Sequence, residues 1–335
     1  MNHFGTLLRL SIFGESHGEA VGFVLDGCRA GIALSMDDFT ADLQRRQGGN
    51  QKGTTPRKEA DLPKIISGVF KGFTTGAPIC ILFENQQARS EDYEKLRNIP
   101  RPGHADFVAS QKYFGFEDFR GGGHFSGRLT VCLVAAGVIA RKMMLQFSPL
   151  YICTSTIVEL GGENDIEKGL QKAIEAKDSV GGIIETTVQG IPSGLGEPFF
   201  NSVESLISHA VFSIPAIKGI EFGAGFSAAS MFGSQHNDAI TDESGKTRTN
   251  HAGGIVGGIT NGNELQFRVV VKPTASTPKS QTSMNLSTGK METFSVKGRH
   301  DLSIALRVPV VLEAVTALVL ADLFLIRHSQ TVLRK

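Results

Sequence analysis

Leu129–Phe147 reads LTVCLVAAGVIARKMMLQF, and Val308–Ile326 reads VPVVLEAVTALVLADLFLI. Both stretches are apolar almost all round, so each predicts a helix covered on every side. Their length also suits a membrane span, but Arg141 and Lys142 interrupt the first, and Glu313 and Asp322 the second. Charges at those depths favour buried core helices of a layered fold over spans. The helices are expected over Leu129–Met144 and Val310–Ile326. Around them lie short strand-like runs at 5–13, 21–26, 65–70, 78–83, 182–188 and 265–271, the last with Phe267, Val269 and Val271 on one face. Ser35 and Asp38 form a capping-box-like start for a helix through Arg46, and 165–176 is amphipathic through Ile166, Leu170 and Ile174. Strands packed around two buried helices define an α+β class. Although length alone suggests about two domains, no linker divides the chain, and one domain over 1–335 is expected.

Composition narrows the function. Lys plus Arg is 34 against 33 acidic residues, a net charge of +1, which argues against a general nucleic-acid or membrane-surface binder. Cys28, Cys80, Cys132 and Cys153 are widely separated, with no metal-type pairing, and read as ordinary thiols of a reducing compartment. The N-terminus lacks a signal-peptide core, so a soluble cytoplasmic protein without a metal is expected. Glycine, at 39 of 335, is in surplus and marks special backbone positions.

Two motif matches fail on context. Gly14-Glu15-Ser16-His17-Gly18 fits G-x-S-x-G, but a β-like segment follows it instead of the helix that a nucleophile elbow needs. Gly223-x-Gly225-x-x-Ala228 lacks the helix of a dinucleotide site. More informative are Arg45, Arg46, Lys52, Arg57, Arg89, Arg101, Arg120 and Arg128, set beside Gly and His in strings such as RPGHAD and DFRGGGHFSGR. Arg forks match carboxylate and phosphate, and glycine lets backbone approach a ligand. His17, His104, His124, His251 and His300 lie in Gly- or Asp-flanked turns, with Asp106 and Asp301 nearby in sequence. Such histidines suit acid–base work. The residues alone thus describe an enzyme with an anion pocket lined by arginine and histidine.

GESHGEAVGFVLDG (14–27), RRQGG (45–49), RSEDY (89–93), RPGHAD (101–106), FRGGG (119–123), SGR (126–128), GLGEP (194–198), NHAGGIVGGI (250–259), KPTAS (272–276) and KGRHD (297–301) occur in this order. In these blocks the chain resembles the chorismate synthase family from about residue 5 to about residue 325. The resemblance implies a lyase of the shikimate pathway, in aromatic amino acid biosynthesis. Its members eliminate phosphate and a ring hydrogen, 1,4-anti, from 5-enolpyruvylshikimate 3-phosphate to give chorismate. They need reduced FMN (FMNH2), although the reaction is redox-neutral, and NADPH only where the enzyme reduces its own flavin. The implied fold is a β-α-β sandwich of two antiparallel sheets around a central helical layer, assembled as a homotetramer.

By the same resemblance, His17, His104 and Asp301 are catalytic. His17 protonates or stabilises the reduced flavin, His104 assists the departing phosphate, and Asp301 acts in transfer of the ring proton. FMN contacts carry over onto His124, Phe125, Ser126, Pro215, Ala216, Gly257, Lys272, Pro273, Thr274, Ala275, Ser276 and Arg299. Substrate-side cations are Arg46, Lys52, Arg57 and Arg128, of which Arg46 and Lys52 also match NADP positions. The chain departs from the family pattern at His124-Phe125-Ser126-Gly127-Arg128-Leu129, at Leu302-Ser303 and at Pro309. Two alternatives stay open at this point: a flavin- or NADP-dependent oxidoreductase sharing the site, and a polyanion-binding protein without turnover.

Overall fold

The structure is a computed structural model that describes residues 2–49, 52–55, 60–85, 97–296 and 301–330. One antiparallel sheet contains β1 (His3–Phe4), β2 (Arg9–Gly14), β3 (Ala20–Asp26), β4 (Lys64–Ser67) and β5 (Ile79–Glu84), in the order β1-β2-β3-β5-β4. A second contains β6 (Ile152–Leu160), β7 (Gly182–Gln189), β8 (Ile217–Phe222) and β9 (Leu265–Val271), in the order β8-β9-β7-β6. The helices used below are α1 (Asp37–Arg46), α2 (Asp106–Tyr113), α3 (Thr130–Phe147), α4 (Ile166–Ala176), α5 (Val203–Phe212) and α6 (Pro309–Gln330).

Period-two patterning sets which sheet face is inside. In β9, Leu265, Phe267, Val269 and Val271 are buried, and in β5 so are Ile79, Ile81 and Phe83. Between the sheets α3 packs against α6; α3 also meets β3, and α6 meets β6 and β7. A sandwich of two antiparallel sheets around a helical layer results, as expected. Both α3 and α6 are long and apolar enough to cross a membrane, yet most of each lies buried inside this fold.

Close approach of the two helices depends on Gly137. A methyl group built there would overlap Cβ and Cα of Ala314. The charges that interrupt the helices are tied to neighbouring layers. Asp322 is buried and accepts the backbone N–H groups of Thr6, Leu7 and Leu8 at 2.8, 2.7 and 2.8 Å. Glu313 accepts both ends of the Arg45 fork at 2.6 and 2.8 Å, and the N–H of Ser155 in β6 at 2.9 Å. Arg141 pairs with Asp42, and Lys142 with Asp38, each at 2.6 Å.

Some boundaries shift. α3 runs to Phe147 and α6 to Gln330, beyond the expected ends. The run 65–70 is split: its ladder with β5 slips register between Ile65 and Ser67 and ends there, and Gly68, at φ +84°, separates it from a short strand at Val69–Phe70. Ser35 donates its N–H to Asp38 at 2.7 Å, half of the expected capping box. The tract 223–263 holds short helical turns at Gly225–Ser230 and Gly233–His236 and a small hairpin, Ile255–Val256 with Ile259–Thr260. All four cysteines are free thiols; burial pushes Cys28 up to about 11 and Cys132 up to about 12, away from reactivity.

Gly137→Ala should lower stability by ~1–3 kcal/mol through overpacking. Ala314→Gly should not rescue it, because the Ala314 backbone also stands in the way. Urea denaturation of the single and double variants checks both statements.

Candidate active site

Strands β2 and β3 are joined by a tight turn in which Gly18 N–H donates to Glu15 O at 3.1 Å. That turn carries His17, which is buried. The ring lies on the backbone of the RGGG turn, where Gly121 and Gly122 have φ of +59° and +82°. A side chain at Gly121 would overlap the His17 ring; one at Gly122 would begin 3.1 Å from Cε1 of His104. Only glycine adopts this backbone cheaply and leaves room for both rings. The histidines, far apart in sequence, thus meet neighbouring peptides of one turn. Two further contacts fix the turns together: Ser16 N–H donates to Gly123 O at 3.1 Å, and His124 Nδ1 lies 2.8 Å from Gly14 O. At 124 this chain's imidazole therefore serves as a donor to the end of β2.

His104 is oriented by Asp106, the first residue of α2. Its Nδ1 lies 2.5 Å from Asp106 Oδ1, and Arg101 holds the same carboxylate through Nε and Nη2, both at 2.8 Å. A carboxylate only accepts, so Nδ1 carries a proton, while Nε2, on the far side of the ring, lies 3.3 Å from Arg101 Nη2. Burial would raise the Asp106 carboxyl, but hydrogen bonds from Arg101 and His104 outweigh it and hold it far below the usual range. The KPTAS segment closes on this turn. Lys272 Nζ donates to Gly103 O at 2.6 Å, Arg101 Nη1 donates to Ser276 Oγ at 3.2 Å, and Lys272 N–H meets Ala216 O at 2.9 Å. Thr274 O accepts the Ser179 hydroxyl at 2.8 Å.

Arg46 and Arg128 do not line an open pocket. Both are buried and share one carboxylate, Asp61, whose side chain is 0 % exposed. Arg46 Nη2 donates to Asp61 Oδ2 at 2.6 Å, and Arg128 Nη1 donates to Asp61 Oδ1. Burial raises the Asp61 carboxyl, yet the two guanidiniums more than offset this and keep it below the ordinary range. Arg307 extends the cluster, donating to Arg46 O at 2.7 Å and to Asp301 Oδ2 at 3.2 Å. Asp301 Oδ1 accepts the N–H of Thr55 at 2.7 Å. Lys52, in that same loop, is exposed and pairs with Glu167 at 3.0 Å.

The structure therefore joins His17, His104, His124, Ala216, Lys272 and Ser276 around two adjacent turns, and joins Arg46, Arg128 and Asp301 through shared partners. Phe125 is exposed beside Tyr113, ring centroids 6.2 Å apart, and Ser126 Oγ accepts Arg128 N–H at 3.3 Å. Pro215 precedes Ala216 at the start of β8; Pro273 and Ala275 belong to the KPTAS loop. Gly257 sits on the small hairpin, whose backbone bonds run to Gly194, Leu195 and Val203. Arg57, Arg89, Arg299 and His300 lie outside the described residues. Sequence reasoning missed Asp61, Asn85 and Arg307 as parts of the site, because a lone Asp, Asn or Arg outside the familiar blocks carries no local signal.

An oriented imidazole, a second buried imidazole and paired guanidiniums make an arrangement that suits an enzyme acting on a small molecule. Residues 8–325 match the family described as chorismate synthase. The chain is 68% identical over 328 residues to the chorismate synthase of Chitinophaga pinensis, covering 98% of both chains. It is 43% identical over 350 residues to that of Thermococcus kodakarensis, covering 97% of this chain and 98% of the other. A crystal structure of chorismate synthase superposes with a TM-score of 0.73 at 27% identity, covering 97% of this chain and 93% of that one. The chain belongs to the chorismate synthase family.

Asp106→Asn should lower kcat by roughly 100-fold, because the proton on His104 is no longer held at Nδ1. The acid stability profile should change too. A depressed carboxyl adds stability above its unfolded range near ~4 and loses it as pH falls toward the folded value. Wild type should lose that contribution in acid and the variant should lack it, which thermal unfolding across pH 2–7 measures.

Proposed function

We propose that the protein eliminates phosphate from 5-enolpyruvylshikimate 3-phosphate, 1,4-anti, to form chorismate in the cytoplasm as a homotetramer. The observation that carries this reading is the convergence of His17 and His104 on the Gly121–Gly122 turn. In this reaction the ring C–O bond to phosphate breaks and a ring C–H bond breaks. A proton and phosphate leave, and no net oxidation occurs.

The chain's residues have matching tasks. His104 acts from its doubly protonated form: Nδ1–H stays on Asp106, and the Nε2 proton passes to the departing phosphate oxygen, leaving the neutral ring. Asp301, held by Thr55 and Arg307, is the carboxylate assigned to transfer of the ring proton. Arg46 and Arg128 are the cations assigned to the substrate's anionic groups; both are buried on Asp61, and Arg46 Nε, without a hydrogen-bond partner, is the donor that an anion would have to reach. Lys52, and by resemblance Arg57, add positive charge for the substrate.

The residues present fit reduced FMN beside the histidines. Burial, and then the like charge of Lys218, hold the Lys272 ammonium below the usual lysine range, a strain that a phosphate group would relieve. Lys272, Pro273, Thr274, Ala275 and Ser276, with Ala216, His124 and Ser126, are the groups that would hold it. When bound, reduced FMN supplies the electron-rich ring that eases phosphate departure. His17 would hold or donate a proton at the flavin. Where NADPH reduces the flavin in place, Arg46 and Lys52 are the positions that would meet it.

Incubation with the substrate and anaerobically reduced FMN should release one phosphate per chorismate, without net consumption of reduced flavin. Folded, flavin-binding protein that releases no phosphate would overturn the reading. His17→Ala should reduce the rate by ~10²–10⁴-fold. Adding NADPH and oxidised FMN alone tests self-reduction.

A further inference from the structure

Asn85 follows directly on β5 and meets the hairpin that carries His17. Its side-chain amide donates to both ends of the His17 turn, to Glu15 O at 3.0 Å and to Gly18 O at 2.9 Å. Its carbonyl oxygen accepts from Arg128 Nε at 3.1 Å. Its own backbone N–H donates to Glu19 O at 3.0 Å, just beyond the turn. This is the one amide orientation in which the partners all match, since two carbonyls need N–H donors and a guanidinium needs an acceptor.

We infer that Asn85 is a positioning residue that fixes the His17 turn relative to Arg128. The turn is held on its other side by Ser16 and His124, through Gly123 and Gly14. Loss of Asn85 therefore frees one side of the turn and leaves the hairpin paired. Arg128 is at the same time anchored to Asp61, so Asn85 ties the turn that carries the His17 ring to a buried guanidinium whose other end is already fixed. Neither Asn85 nor its partners on the turn need touch the reacting atoms for this to act. The assignment rests on the proposed reaction for its kinetic consequences, but the geometry it sets is measurable without turnover.

Two variants separate the two halves of the contact. Asn85→Asp keeps an acceptor for Arg128 but places an oxygen against two carbonyls. It should lower kcat by roughly 10–100-fold, the scale of a small misplacement, with KM changed by less than about threefold. Asn85→Ala loses both halves, so kcat should fall and KM should rise by about tenfold or more, the scale of one lost charge-assisted bond. The activity-independent readout is the imidazole titration of His17 followed by NMR. It should shift in both variants, while the His104 titration stays as in wild type.

Unchanged kcat and an unchanged His17 titration in either folded variant would overturn the inference. Failure of both variants to fold would overturn it too, because Asn85 would then be a residue of the fold. If wild type releases no phosphate, the proposed reaction falls, and the NMR arm alone decides the positioning role.

Discussion

Two helices without a polar face impose the architecture. α3 and α6 cannot end at water on any side, so each must be covered by the other and by a sheet. The cover on their mutual side is unusually close, because Gly137 brings the α3 backbone onto Ala314. What remains is covered by β3 and α1 on the α3 side, and by β6, β7 and α5 on the α6 side. Sheets that close over helices in this way need one apolar face and leave the other free to be polar, which the alternation in β9 satisfies.

The few charges in those helices then determine which neighbours are chosen. A buried carboxylate without partners costs several kcal/mol, so it specifies a position where donors converge. Asp322 draws in the three amides of Thr6–Leu8 and so fixes the approach to β2, the strand that ends at the His17 turn. Glu313 does the same for α1 and β6, and α1 ends in Arg46. Fold specification and site construction are thus one process. The charges that argue against a membrane span also aim the strand and helix that deliver His17 and Arg46.

Much of this was legible in the chain. Period and composition located the core helices, four of the five strands of the first sheet, two of the four strands of the second, and the loops rich in Gly, His and Arg. α6 runs past the expected end through the exposed residues Arg327–Gln330, where the helix continues although the apolar pattern that marks it in sequence has stopped, and α3 likewise runs on to Phe147. At the site, residue types were legible but pairing was not. Nothing in EADLP (59–63) says that Asp61 lies between Arg46 and Arg128, since that contact depends on three segments being folded together. His104 beside Asp106 was visible from spacing alone, because α2 begins between them and leaves both side chains on one turn.

The arginines show why a near-neutral net charge was a poor guide to the site. Arg46, Arg128 and Arg307 meet Asp61 and Asp301, three cations against two anions, so the cluster keeps a positive excess after internal pairing. Arginines free in solvent would be screened and would lose rotamer entropy when a ligand bound. Here folding has already removed that freedom and stripped the guanidiniums of water, with Asp61 limiting the desolvation cost. Asp61 therefore sets the geometry of the cluster, because without it the two like charges would repel each other apart.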